Sequence, residues 1–97
     1  MRRTRATLEA LERDMWLCQY HMHELGVANG ASDGHHMFGR HNDHPEAIIA
    51  LCHDCHMKVH SGEISKHIVI DIQVRKGILT DDEITRLEAT KSRGTKK

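Results

Sequence analysis

The chain is poor in the residues that normally build a secure core. Among its 97 residues there are only three aromatics, Trp16, Tyr20 and Phe38. A domain of this size buries too little apolar surface to be held by packing alone, so a metal or an oligomeric contact is the expected supplement. No run approaches the roughly 20 apolar residues that cross a bilayer, and the N-terminus has no apolar signal core. The expectation is a cytoplasmic protein without membrane contact. Cysteine is scarce and odd in number: three cannot all pair, and two of them stand as Cys52-x-x-Cys55 beside histidines. That argues against a secreted disulfide framework and for thiolate ligands in a reducing compartment. Charge of one sign is also lacking, with 14 basic against 14 acidic residues, so net charge exerts no pull toward nucleic acid. Basic residues do crowd the two ends, Arg2, Arg3 and Arg5 at one and Lys91, Arg93, Lys96 and Lys97 at the other. These tails either meet phosphate or are simply solvated.

Histidine, in contrast, is abundant, with ten in the chain. Its placement follows a readable order of elements. From Thr4 to about Leu17, Leu8, Ala10, Leu11 and Met15 recur at helical spacing, predicting an N-terminal helix that delivers Cys18. Gly26 to Gly34 has loop composition. His35-His36-Met37-Phe38-Gly39-Arg40 reads as a short strand, His41 to Pro45 as a polar turn, and Ala47 to Leu51 as a second strand, together a hairpin with a long loop. His56 to His60 is free of helix breakers until Gly62 and predicts a short helix. Ile64 to Val74 fits either period, with helix slightly favoured over strand. Thr80-Asp81-Asp82-Glu83 has the form of a capping box and opens a last helix to about Thr90. No repeat or linker divides the chain. Residues 1–97 read as one small α+β domain: an N-terminal helix over 1–17, a metal-bearing core over 18–61, and a C-terminal extension with a basic tail over 62–97.

Two constellations carry chemistry. Cys18-x-x-His21 and Cys52-x-x-Cys55 are pairs whose spacing lets neighbouring side chains of a tight turn point at one ion. Together they offer a Cys3His set that tetrahedral Zn2+ accepts and that magnesium or calcium does not favour. His23 is an alternative fourth ligand. Joining the pairs closes a loop of about 30 residues, so folding and zinc binding should be linked. Cys52-x-x-Cys55-His56 also matches the attachment pattern of c-type haem, but that chemistry needs export and leaves Cys18 unexplained. In the second constellation, His35 and His36 are adjacent on a strand and point to opposite sides, one toward an ion and the other toward a water. His56 and His60, four apart on a helix, share a face within reach of one metal. A strand histidine with this helical pair makes a three-nitrogen site with open positions, as a metal requires if it is also to hold a substrate oxygen.

From Leu11 to Ser61, about half the chain, the sequence resembles the HNH endonuclease family. The resemblance is carried by Cys18-x-x-His21, His35-His36-Met37-Phe38-Gly39-Arg40, Leu51-Cys52-x-x-Cys55-His56 and His60, and is particularly to phage-encoded members with a His-His-x-Phe-Gly-Arg strand. It implies a ββα-metal fold with a zinc knuckle, flanking helices, and DNA as the substrate. By that match His35, His56 and His60 hold a divalent metal such as Mg2+, Mn2+, Ni2+ or Zn2+. His36 is the general base and Arg40 lies near the phosphate, so that His35, His36, His60 and Arg40 form the catalytic set. Cleavage with weak sequence specificity is expected, since Lys58 and Arg40 near the short helix would contact mostly phosphates. A role beside phage packaging or recombination proteins is compatible with the resemblance. One departure stands out: the asparagine that usually lies five positions before the first knuckle cysteine is replaced by Ala47. Asn42, His44 or Glu46 then substitutes for its amide, or activity is reduced. The competing readings are a zinc-finger-like nucleic-acid-binding module that has lost catalysis and a purely structural zinc-stapled interaction domain.

Overall fold

A computed structural model describes residues 3–95, with side chains described through residue 89. The basic clusters at Arg2 and at Lys91, Arg93, Lys96 and Lys97 therefore fall outside the described residues or side chains. Helix α1 spans Arg5–Arg13 and is capped by Thr4, whose hydroxyl accepts the Thr7 amide at 3.1 Å. It buries Ala6, Thr7, Ala10 and Leu11. The helix ends short of the expected Leu17 because Met15 and Trp16 adopt left-handed conformations, with φ of 57° and 56°. The chain turns back there, and Leu17 bridges Gly30.

Strand β1, Asp33–His36, pairs antiparallel with β2, Ile48–Leu51, with His35 opposite Ile49 and His36 opposite Ile48. β1 begins two residues earlier than its composition implies and stops at His36, because the Met37 amide reaches Ala47, which closes a 3-10 turn over Pro45–Ala47. Gly34 is essential to the layer beneath. A Cβ there would stand 2.7 Å from the Thr7 methyl and 3.0 Å from that of Ile48. Only glycine lets the sheet lie this close to α1.

All four residues of β2 are buried. Helix α2, His53–Ser61, follows directly, with Cys52 as its N-cap, and ends at Gly62 with φ of 87°. The ambiguous stretch resolves as helix α3, Lys66–Arg75, burying Val69, Ile70, Ile72 and Gln73. Those four positions follow a helical period, and their packing overrides the β preference of the branched side chains. Helix α4, Asp81–Thr95, opens with the expected capping box: Glu83 N donates to the Thr80 hydroxyl at 3.2 Å and Thr80 N to the Glu83 carboxylate at 3.0 Å. The main core gathers Leu11, Phe38, Ile49, Leu51, Val69 and Ile72 around the buried Cys18 and Cys55. No helix among the described residues is long and apolar enough to cross a membrane.

One polar cluster ties these layers together. The buried Asp14 carboxylate accepts from Arg13 at 2.8 Å, from Lys76 at 2.7 Å and from the Ala50 amide at 3.2 Å. Burial alone would raise the Asp14 carboxyl, but the hydrogen bonds and charges of Arg13 and Lys76 outweigh it and hold it below the ordinary 3.8. Lys76 has a single anion to offset its own burial and the Arg13 cation against it, so its ammonium is held below the usual lysine range.

Candidate metal centres

The reversal after α1 carries Cys18 into the core, where its amide donates to Asn29 O at 2.6 Å. A five-residue π-helical turn, His21–Leu25, then folds His21 back over it. From the other side, Cys52 at the mouth of α2 and Cys55 one turn in complete the group, with Cys52 Sγ accepting the Cys55 amide at 3.5 Å. The ligand atoms of Cys18, His21, Cys52 and Cys55 all lie within 4.8 Å of one another. His21 Nδ1 stands 3.2 Å from the Cys18 sulfur, 3.5 Å from that of Cys55 and 3.8 Å from that of Cys52. A tetrahedral zinc with bonds of about 2.3 Å to sulfur and about 2.05 Å to nitrogen sets nitrogen and sulfur about 3.6 Å apart, so the donor set fits that ion. His21 fills the fourth place and His23, the alternative ligand, is exposed outside the cluster. The electrostatics agree. Burial and the two neighbouring sulfurs push the Cys55 thiol up. Burial also acts to raise Cys52, but hydrogen bonds from Cys55 and Cys18 outweigh it and lower that thiol. A cation is what allows three crowded sulfurs to ionise together.

A second group forms where β1 meets α2. The ligand atoms of His35, His56 and His60 also lie within 4.8 Å of one another. Period-2 alternation turns His35 inward from β1, while the four-residue spacing on α2 stacks His56 and His60. Their Nε2 atoms are 3.1 Å apart, and the His35 ring lies 5.2 Å and 5.4 Å from the two, centroid to centroid. Two imidazole nitrogens of one metal are separated by about 3.3 Å around a tetrahedron, so this set also fits a divalent ion. Burial grades from His35, which is enclosed, to His60, which is exposed. The three line a hollow of about 190 Å³ that also includes His36 and Arg40.

Asp33, which sequence reasoning passed over as loop, organises this second group. It precedes His35 by two residues on β1, and its carboxylate accepts from His56 Nδ1 at 2.9 Å and from His53 Nδ1 at 3.1 Å. With its proton on Nδ1, His56 presents Nε2 as a lone pair toward His60 and the hollow. Burial acts to raise the Asp33 carboxyl, but the hydrogen bonds from His56, His53 and Ser32 prevail and keep it below the usual carboxylate range.

His36, the next residue on β1, meets Asp43, with Nε2 and Oδ1 2.8 Å apart. Thr4, the cap of α1, donates its hydroxyl to the same Asp43 oxygen at 3.0 Å. The hydrogen bond from His36, with a further one from Thr4, holds the Asp43 carboxyl low against a small opposing effect of burial. As an ionised acceptor, Asp43 fixes the His36 proton on Nε2 and leaves Nδ1 free. Ala47 is buried, and the polar residues before it take separate partners. Asn42 braces the loop by donating to Phe38 O at 2.8 Å, and Asp43, not among the expected substitutes, holds the imidazole. His44 and Glu46 face α4 instead, in a hollow with Glu83 and Arg86. Lys58, expected near phosphate, pairs with Asp54 at 3.4 Å.

Comparison with protein-family models, with curated proteins and with solved structures finds no match to this chain. What stands on geometry is a small α+β fold bearing a Cys3His group suited to zinc and a separate cluster of three histidines.

Proposed function

We propose that the chain is a metal-dependent endonuclease of the HNH type, hydrolysing DNA phosphodiester bonds with weak sequence specificity. The observation that carries this reading is the convergence of His35, His56 and His60 on one hollow shared with His36 and Arg40. A protein needing only a structural ion already has the Cys3His group for that purpose. The second cluster is open on its His60 side and has nitrogen ligands alone, which suits an exchangeable cation with room for a substrate oxygen.

His35, His56 and His60 would hold a divalent ion, which would supply Lewis acidity toward a phosphate oxygen. The chain's own residues do the rest. Arg40, exposed at the rim, places a permanent positive charge beside the phosphodiester. His36 Nδ1 takes a proton from the attacking water, whose oxygen forms a bond to phosphorus as the bond to the departing sugar oxygen breaks. Asp43 stabilises the resulting imidazolium through Nε2–H, and Thr4 keeps Asp43 in place.

Zinc-loaded protein is expected to nick supercoiled plasmid when Mg2+, Mn2+ or Ni2+ is added, and to stop on chelation of that metal. His36→Ala should lower the rate at least about 100-fold while zinc content and DNA binding persist. Cleavage by His36→Ala at the parental rate would reject the general base. Retained DNA binding with no cleavage in any divalent metal would favour the zinc-finger-like binding module instead.

A further inference from the structure

The turn that ends α1 is costly in a way the reversal alone does not require. Met15 and Trp16 are the two residues other than glycine with positive φ among the described residues, while Gly26, Gly39, Gly62 and Gly77 serve the other left-handed positions. Glycine or asparagine would make the same reversal with less strain. Instead the turn displays Met15 at 71% exposure and Trp16 at 39%. Strain kept where it presents a large apolar side chain to solvent is a signature of a binding position.

The surroundings of Trp16 indicate what is bound. The Arg3 guanidinium lies over its ring, 5.4 Å from the centroid, and donates to Ser32 O at 3.0 Å. Arg3 also lines a groove of about 490 Å³ that runs past Thr4 and Gly34 to His36, Arg40 and His56. Through Arg3 the indole is thus joined to a groove whose lining includes a second arginine and the proposed base. The turn is tied to the strand that carries the histidines, since Ala31 N donates to Trp16 O at 2.8 Å. Ala31 stands four positions before His35, a path of at most about 13 Å at 3.3 Å per residue.

Resting on the nuclease reading above, we infer that Trp16 and Arg3 form a subsite for an unpaired nucleobase at the edge of the groove that His36 and Arg40 line. The enzyme then prefers DNA with a single-stranded segment beside the cut. An indole face accepts a base only when that base has left its own stack, and a neighbouring guanidinium serves both the base face and the backbone phosphate. A base inside a duplex has both faces covered.

Trp16 is the only tryptophan in the chain, so its fluorescence reports this subsite alone. Titrating zinc-loaded protein, with no other divalent metal added, with oligodeoxythymidylate should quench that fluorescence saturably, and a blunt duplex should quench it much less. Trp16→Ala should weaken single-strand binding, read by anisotropy of a labelled oligonucleotide, by about tenfold or more. Trp16→Phe should lose less, with zinc content unchanged in both, which guards against a folding defect. Equal quenching by duplex, or parental single-strand affinity in zinc-replete Trp16→Ala, overturns the subsite. Plasmid nicking is read separately: its persistence beside an inert Trp16 sinks the subsite alone, whereas Trp16-dependent binding without cleavage in any metal sinks the nuclease reading and leaves the subsite standing.

Discussion

The two histidine-bearing clusters use the same ring for opposite ends. In the knuckle, His21 joins three sulfurs drawn from two segments far apart in sequence, and Cys18 and Cys55 are buried. In the second cluster, three imidazoles from neighbouring elements meet at a hollow, one of them exposed. Sulfur, burial and a long closed loop suit an ion that is part of the scaffold, whereas nitrogen ligands and an open edge suit one that exchanges. The difference lies in what surrounds the histidine more than in the histidine itself.

The sharpest way to break this contrast is to remove one ligand from each side. Cys55→Ser should cost most of the roughly 10 kcal/mol that a structural zinc contributes, leaving a chain without cooperative unfolding by circular dichroism. His60→Ala should retain the cooperative transition and one equivalent of zinc, losing only the second metal in calorimetric titration. A folded, cooperative Cys55→Ser protein would show that the knuckle is not the staple.

A smaller effect separates scaffold stability from either metal. Asp14→Asn should destabilise by about 3 kcal/mol at neutral pH, because it removes the anion from a buried, multiply bonded pair. Since folding holds the Asp14 carboxyl below 3.8, its contribution is complete above that pH and is lost as pH falls through the folded value. The gap in melting temperature between the parent and Asp14→Asn should therefore be widest near neutrality and close in acid. A gap that widened in acid would contradict the ion pair.

The smallest expected change sharpens the second cluster. Asp33→Ala leaves all three ligands in place but frees His56 Nδ1, so affinity for the second metal should fall by about 10- to 100-fold with zinc retention and melting temperature nearly unchanged. Unaltered affinity would mean that the carboxylate does not hold the ring.

Much of this arrangement was legible in the chain itself. The x2 and x3 spacings of Cys18, His21, Cys52, Cys55, His56 and His60 are local, and local spacing survives folding because a turn or a helix fixes it. The capping box at Thr80 and Glu83 was readable for the same reason. Asp33 and Asp43 were not. Asp33 lay in a glycine-rich stretch read as loop, and its value rests on the strand starting two residues sooner than composition indicates, a boundary decided by pairing with Leu51. Asp43 matters because a loop returns it to His36, a contact across seven residues that no period encodes. The end of α1 was misplaced because Met15 and Trp16 are residues for which a left-handed turn is unexpected.

The outer margin of β2 has a consequence for how this chain meets other proteins. Ile48 O accepts from Arg13 at 2.8 Å and from Gln73 at 3.4 Å, and the Ala50 amide is taken by Asp14. Side chains from two helices thus occupy the backbone groups that an incoming strand would need. Neither a sister molecule nor an extended peptide can lengthen the hairpin on that flank, so a strongly apolar tetrapeptide is kept from seeding fibres.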